Sequence, residues 1–197
     1  MAVHEALYCA PALVLVLSPS LRQSGELFRK VLQLYRAIDQ PVRPAQESAL
    51  RLELENGSRI VSLPGKEETI RGFSGVRLLL VDEAARVMDP LYYAVRPRLA
   101  VSSGRLVCLS IPFGKRGFFH AEWTSSREWT RVKVTATDSP RISREFLDEE
   151  RAALGQWWYQ QEYMCAFVEG DDQLFGLDHV MSALSPDVEP LFPKVAA

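Results

Sequence analysis

Three short, wholly apolar segments constrain the fold of this chain more than any other feature of its sequence. They are Ala12–Leu17, Leu78–Val81 and Leu106–Leu109, and polar or turn-forming residues follow each of them. A strand that is apolar at every position is buried on both faces, as happens when helices cover both sides of a parallel sheet. Apolar residues at helical spacing between Leu21 and Ile38 indicate one such helix. The pattern therefore predicts an α/β domain with a mainly parallel sheet.

A β-hairpin is predicted between this first helix and the second apolar strand. Residues 50–54 alternate between apolar and charged side chains, and residues 59–63 form a second short strand-like segment. Asn56 and Gly57 lie between them, and an Asn-Gly pair accepts the positive φ angles of a type I′ turn. The two segments should therefore pair as antiparallel neighbours.

Weaker patterns predict the elements that follow the second apolar strand. Helices are expected over residues 90–99, 118–123 and 143–154, the last of them capped by the serine at its first position. Gly155 is expected to break that last helix. Residues 130–134 alternate like an edge strand.

The composition is that of an ordinary globular protein. Hydrophobic residues make up 47% of the 197 residues, which is too many for a disordered chain. No apolar segment approaches the ~20 residues that cross a bilayer, and Met1–Ala10 lacks the features of a secretory signal. We therefore expect no membrane contact and a cytoplasmic location. The three scattered cysteines do not suggest a disulfide framework or a zinc cluster, and the net charge of −2 allows nucleic-acid binding only through a local basic surface.

The tip of the second apolar strand carries the clearest chemical signal, the carboxylate pair Asp82-Glu83. Ligands of open α/β sheets bind at the carboxyl ends of the strands. At that place Asp82 could hold Mg²⁺, and Glu83 could orient and deprotonate the water that attacks a γ-phosphate, an arrangement called Walker B. The alternative is that the two carboxylates only stabilise the start of a helix through its dipole.

Two further segments could contribute to a phosphate site. Residues 110–117 follow the third apolar strand, and the Ser110 hydroxyl could lie beside a nucleotide and sense its γ-phosphate. The alternative is a loop that only turns the chain. Arg71 precedes a glycine and could neutralise charge on a phosphate, in its own subunit or in a neighbouring one. The alternative for Arg71 is an ordinary solvated side chain.

The sequence contains no match to a phosphate-binding P-loop. Such a loop requires the spacing Gly-x-x-x-x-Gly-Lys-Ser/Thr, because backbone N–H groups and one lysine cradle the phosphates. Gly65-Lys66 and Gly114-Lys115 lack that spacing. We therefore expect this chain by itself to bind Mg-ATP weakly and to hydrolyse it negligibly.

With these residues in place, the chain resembles the large terminase subunit of tailed bacteriophages, the ATPase that pumps DNA into the prohead. The resemblance covers about residues 13–192 and rests on several segments in the same order: Leu17–Ser24, Thr69–Ser74, Leu80–Arg86, Tyr92–Pro97, Ser110–Phe118 and Gln161–Tyr163. It implies a three-layer, P-loop NTPase-like fold of the additional-strand, RecA-like class with a mainly parallel sheet, incomplete at the N-terminus.

The resemblance also implies roles for individual residues. It makes Asp82 the Mg²⁺-binding residue of Walker B and Glu83 the catalytic base. Ser110 and Pro112 fall in the motif that lies beside the nucleotide and couples hydrolysis to movement. The family usually has threonine where this chain has Ile111, so Ser110 must carry any sensing of the γ-phosphate.

Cofactors, partners and domains follow from the same resemblance. ATP and Mg²⁺ are the expected cofactors of the intact protein, and double-stranded DNA, the portal protein and the small terminase subunit are its expected partners. Arg71 is similar in placement to an arginine that acts as a finger on the adjacent subunit of a homo-oligomeric ring. Residues 1–170 are expected to be part of the ATPase domain, and residues 171–197 a linker toward a nuclease domain that these 197 residues do not include.

Two alternatives stay open at this point. The chain could be a non-enzymatic remnant or docking module that binds DNA, the portal or the small terminase subunit. It could also be a fragment of another RecA-like ATPase such as a helicase, because Asp-Glu-Ala-Ala at 82–85 resembles a helicase motif.

Overall fold

Six β-strands form one sheet in the computed structural model, which describes residues 1–64, 72–100, 102–169 and 183. In chain order the strands are β1 (Leu13–Ser18), β2 (Pro44–Glu47), β3 (Arg51–Leu54), β4 (Arg59–Pro64), β5 (Val76–Asp82) and β6 (Arg105–Leu109). Their order across the sheet is β2-β3-β4-β1-β5-β6. The three apolar segments of the sequence are β1, β5 and β6, as predicted.

Four of the strands run parallel. β1 pairs in parallel with both β4 and β5, and β5 pairs in parallel with β6, whereas β2 and β3 are antiparallel additions. The carboxyl ends of the four parallel strands therefore lie along one edge of the sheet, here called the carboxyl edge. The residues that end these strands are Ser18, Pro64, Asp82 and Leu109.

Helices cover both faces of this sheet. The described α-helices are α1 (Ala2–Tyr8), α2 (Leu21–Ala37), α3 (Asp89–Ala100), α4 (Gly117–Thr124) and α5 (Arg144–Glu162). α1 and α2 supply buried residues to the core on one face, and α3 and α4 supply them on the other. The result is the predicted three-layer α/β architecture.

The central strand β1 shows why its sequence is apolar at every position. Successive side chains of a strand point to opposite faces. Leu13, Leu15 and Leu17 pack in the core beneath α3 and α4, while Val14 and Val16 pack in the core beneath α1 and α2. Each fully buried side chain of this size stabilises the fold by roughly 1.5–3 kcal/mol, so both faces of β1 anchor the domain.

The predicted hairpin is confirmed, but its predicted turn type is wrong. β3 pairs antiparallel with β4. Gly57 has a φ of +81°, whereas Asn56 is not at positive φ, and a type I′ turn requires positive φ at both positions. The Asn56 side chain is used instead for two hydrogen bonds: Nδ2 donates to the Ala6 carbonyl at 2.9 Å, and Oδ1 accepts from the Ser58 N–H at 3.0 Å.

The segment 130–134 is not a strand, contrary to the prediction. Its alternating pattern suits a sheet, but none of the described strands lies beside it to pair with. β2 shows the opposite discrepancy, because its four residues are all exposed and carry no strand pattern. Pairing with β3 alone makes β2 a strand.

The last described helix follows the sequence prediction closely. The Ser143 hydroxyl accepts a hydrogen bond from the Phe146 N–H at 3.2 Å, so the predicted N-cap is confirmed. Gly155 has a φ of 75° and a ψ of 168° and interrupts the helix, which resumes and ends at Glu162. Among the residues described, no helix has both the length and the apolar character to cross a membrane.

Candidate functional site

Asp82 lies at the carboxyl edge as the last residue of β5. Its register partner in the neighbouring strand is Leu109, the last residue of β6. The Asp82 side chain is half-buried, and within the described part of the chain its carboxylate makes no hydrogen bond or ion pair. A carboxylate without a competing protein partner at this edge is available to a cation.

Glu83 follows in an uncommon backbone conformation. Its φ of 50° and ψ of 43° lie in the left-handed region, which costs a residue with a side chain roughly 1–2 kcal/mol. This conformation ends β5 abruptly and starts the short 3-10 helix Ala84–Arg86. Strained backbone of this kind concentrates at functional sites, and here it fixes the direction in which the chain leaves the sheet.

The Glu83 carboxyl group holds its proton more tightly than an exposed glutamate does. Burial raises its pKa, the neighbouring Asp82 carboxylate raises it further, and Glu162 at the end of α5 adds to the effect. Arg86 acts in the opposite direction, with its Nε 3.8 Å from Glu83 Oε2. A raised pKa suits a group that must accept a proton from water.

Two contacts join residues 82–86, here called the carboxylate turn, to the loop of residues 110–116 that follows β6. Ser110 Oγ accepts a hydrogen bond from the Ala85 N–H at 3.1 Å and donates one to the Ile111 carbonyl at 2.7 Å. The guanidinium carbon of Arg86 lies 4.2 Å from the ring centroid of Phe113, a cation–π contact. The turn and the loop are therefore mechanically connected.

Other side chains fix the far end of this loop. The guanidinium of Arg116 lies over the same Phe113 ring, 4.9 Å from its centroid. Asp89 Oδ1 accepts a hydrogen bond from the Phe118 N–H at 2.7 Å and so caps the start of α4. Gly117 has a φ of +74°, and an added Cβ would lie only 3.3 Å from Asp89 Oδ1. The loop thus runs between two fixed points, the end of β6 and the start of α4.

A family profile identifies the kind of protein that carries this site. The profile described as "Terminase large subunit, T4likevirus-type, N-terminal" matches residues 18–180, most of the chain. This chain belongs to that family. Comparison with curated protein sequences gives no significant match.

Solved terminase structures share the fold. The ATPase domain of the large terminase of Thermus phage P74-26 superposes with a TM-score of 0.65 and 21% identity, covering 85% of this chain and 81% of that domain. The large terminase of another phage, described as a thermophilic bacteriophage, gives a TM-score of 0.65 and 16% identity, covering 85% of this chain and 45% of that protein. That second terminase was also solved with ADP and with ATP-γ-S. These matches confirm the predicted RecA-like terminase ATPase fold.

The structure of this terminase chain brings three of the five predicted site residues together. Asp82, Glu83 and Ser110 meet at the carboxyl edge through the contacts above. Pro112 is buried two residues further along the loop and lines a cavity. Arg71 lies outside the described residues.

Residues that the sequence analysis did not single out complete this part of the terminase chain. Arg86 and Phe113 connect the carboxylate turn to the loop, and Glu162 lies close enough to influence Glu83. Ser18, at the tip of β1 beside β5, is fully buried, and its Oγ has no hydrogen-bond partner among the described residues. Only Ser18 carried a usable signal, as the single polar residue that ends an apolar strand.

Proposed function

We propose that this chain is part of the ATPase motor domain of a phage DNA-packaging terminase, with Asp82-Glu83 as its Walker B motif and Ser110–Pro112 as its coupling loop. One observation supports the proposal above all. Two adjacent carboxylates end a buried parallel strand, and the next parallel strand delivers the Ser110 loop to the same place through the Ala85 hydrogen bond. Ligands of open α/β sheets bind at this edge.

Asp82 is the residue we assign to Mg²⁺. Magnesium prefers oxygen ligands and usually keeps several waters, taking one or two carboxylates and the substrate phosphates. The half-buried Asp82 carboxylate, which makes no hydrogen bond or ion pair with other described residues, fits that requirement. Bound there, Mg²⁺ would neutralise negative charge on the phosphate oxygens.

Glu83 is the residue we assign as general base. It would orient a water molecule and accept its proton, and the burial and negative charge that raise its pKa favour that acceptance. Its left-handed backbone and the nearby Arg86 hold the carboxylate in a defined position. Ser110 would report the state of the nucleotide, because its hydroxyl already bonds the carboxylate turn.

The 197 residues are proposed to bind Mg-ATP weakly when tested by themselves. Backbone amides and a lysine of a P-loop supply much of the binding energy for phosphates in this class of ATPase. The sequence contains no Gly-x-x-x-x-Gly-Lys-Ser/Thr. We also propose that residues 1–170 belong to the ATPase domain and that residues 171–197 form a linker.

Partners are proposed at the level of the family. Membership of the large terminase family favours packaging partners and DNA over the helicase alternative. We propose double-stranded DNA, the portal and the small terminase subunit as partners of the whole protein, which would act as a ring in the cytoplasm of a bacterial host. Arg71 would serve the neighbouring subunit of that ring.

The assignment of the metal site can be tested on this chain directly. Mn²⁺ replaces Mg²⁺ and broadens the NMR signals of nearby amides. With Mn²⁺ and ATP-γ-S added to saturation, we expect the strongest broadening at residues 82–86 and 110–113. Asp82→Asn should abolish that pattern. Asp148→Asn, which changes an exposed carboxylate on α5, should preserve it. Broadening centred elsewhere, or unchanged by Asp82→Asn, would refute the assignment.

A further inference from the structure

A slot runs along the outer edge of β6. One of its walls is β6 itself, and the opposite wall is the segment 129–134. The slot consists of two adjoining cavities of about 820 Å³ and 220 Å³, which share the lining residues Cys108, Leu109, Phe119, Trp123 and Val132. A single water occupies roughly 30 Å³, so the slot has room for a segment of polypeptide.

Both walls present backbone groups that lack backbone partners. β6 pairs with β5 on one side, and no described strand lies on its other side. Throughout Thr130–Lys133, which the structure describes completely, the peptide N–H and C=O groups make no hydrogen bond with any described residue. Rows of unpaired peptide groups are templates for a further strand. Here two such rows line one slot.

The wall opposite β6 is held in place by side chains. Arg131 Nη2 donates to the Glu122 carbonyl at 2.9 Å and to the Ser125 carbonyl at 2.8 Å. The Glu122 carboxylate accepts from Trp129 Nε1 at 2.8 Å and from the Tyr92 hydroxyl at 2.9 Å. These bonds fix the wall and leave its own peptide groups open. A site arranged in advance loses less conformational entropy when it binds.

The side chains along the slot are mainly apolar. Phe118, Phe119 and Trp123 of α4 contribute aromatic surface. Leu109 is 54% exposed and Val132 is 72% exposed, although both are apolar. A small apolar molecule would cover this surface but leave two rows of peptide groups unpaired. An extended strand with apolar side chains satisfies both requirements, because its own peptide groups alternate toward each wall.

We propose that this slot, the β6 slot, receives one extended, apolar β-strand of terminase polypeptide, hydrogen-bonded to β6 on one side and to Thr130–Lys133 on the other. The source of the strand is argued from the related P74-26 ATPase domain, of which this chain covers 81%. Part of that domain therefore has no matched counterpart among these 197 residues. The proposal does not depend on the catalytic roles of Asp82 and Glu83.

The experiment combines the 197-residue chain with a synthetic strand. The probe is the peptide acetyl-Lys-Lys-Leu-Val-Leu-Val-Leu-Lys-Lys-amide, whose central five residues copy Leu13–Leu17. The control peptide has proline at the central leucine, which removes one N–H donor. At saturating probe, amide hydrogen exchange should slow at least about tenfold in both β6 and Thr130–Lys133. The proline peptide should leave both walls unchanged.

A pair of variants tests the location of the bound strand. Val132→Asp places a charge on the slot wall at an exposed position and should weaken peptide binding at least about tenfold. Leu34→Asp changes a residue of similar character on α2, which is 53% exposed, and should leave binding unchanged. The proposal is overturned if the probe protects neither wall or only one, or if both variants weaken binding equally. Protection of both walls in a dimer without peptide would overturn it too, because a second copy would then be the occupant.

Discussion

Replacing Ser110 with alanine would cut the hydrogen bond between the carboxylate turn and the coupling loop. The hydroxyl accepts from the Ala85 N–H at 3.1 Å and donates to the Ile111 carbonyl at 2.7 Å. Ser110→Ala leaves the Ala85 N–H without that acceptor. Ser110→Thr keeps a hydroxyl at the same position and should largely preserve the bond.

The size of the effect follows from the surroundings of this bond. A neutral hydrogen bond contributes about 0.5–1.5 kcal/mol net, and an unsatisfied buried donor costs about 1–3 kcal/mol. Ala85 and Ser110 are only half-buried, so water can replace part of the lost bond. We therefore expect Ser110→Ala to lower the free energy of unfolding by about 1 kcal/mol, which lowers the Tm by about 2–4 °C in a chain of this length.

The assay is amide hydrogen exchange at Ala85 together with thermal unfolding. A loss of about 1 kcal/mol in local stability should speed exchange at Ala85 by about fivefold. Ser126→Ala, at an exposed serine outside helices and strands, serves as the matched control and should change neither measurement. If exchange at Ala85 is the same in Ser110→Ala and Ser110→Thr, the hydrogen bond does not hold the turn and the reasoning fails.

Three other predictions test the base, a buried carboxylate and the backbone. Phosphate release by the 197 residues alone should be negligible and unchanged in Glu83→Gln; steady release that Glu83→Gln removes would contradict the expectation of weak ATP binding. Hydrogen bonds from Trp129 and Tyr92 lower the pKa of Glu122 against the raising effect of burial, the largest single influence. A lowered folded-state pKa stabilises the fold at neutral pH and ceases to do so as pH falls through that pKa. Urea unfolding should therefore show a stability gap between wild type and Glu122→Gln that shrinks at acidic pH, and a gap that grows would exclude this cause. Gly155→Ala should destabilise by about 1–3 kcal/mol, because the glycine has a backbone conformation essentially restricted to glycine. Gly25→Ala, inside α2 with open space around its Cβ, should stabilise by up to about 1 kcal/mol, and the same sign for both glycines would refute the argument.

The parallel core could be predicted from sequence because its signal is local. β1, β5 and β6 are apolar along most of their lengths, and that pattern survives without knowledge of their neighbours. β2 could not be predicted, since its exposed residues become a strand only by pairing with β3. The segment 130–134 failed for a related reason: its alternation is real, but no described strand lies beside it.

The candidate site divides in the same way. Asp82 and Glu83 were predictable because they are adjacent in sequence and end a recognisable strand. Arg86 and Phe113 were not, because their contact depends on the register between β5 and β6 that sets Asp82 opposite Leu109. The left-handed backbone of Glu83 was equally invisible, since glutamate has no preference for that conformation. The catalytic assignments themselves stay predictions.

One strand connects the candidate site to the β6 slot. The inner edge of β6 sets the register that brings Ser110 to Ala85, while its outer edge faces the slot. A strand with a neighbour on one side only is held less firmly than one paired on both sides, because its outward peptide groups have no partner. The position of Ser110 relative to the carboxylate turn therefore depends on how well β6 is supported. Weak catalysis by this chain would accordingly have two separate physical causes, the missing phosphate-binding loop and the unsupported edge of β6. Filling the slot would remedy the second cause and leave the first unchanged.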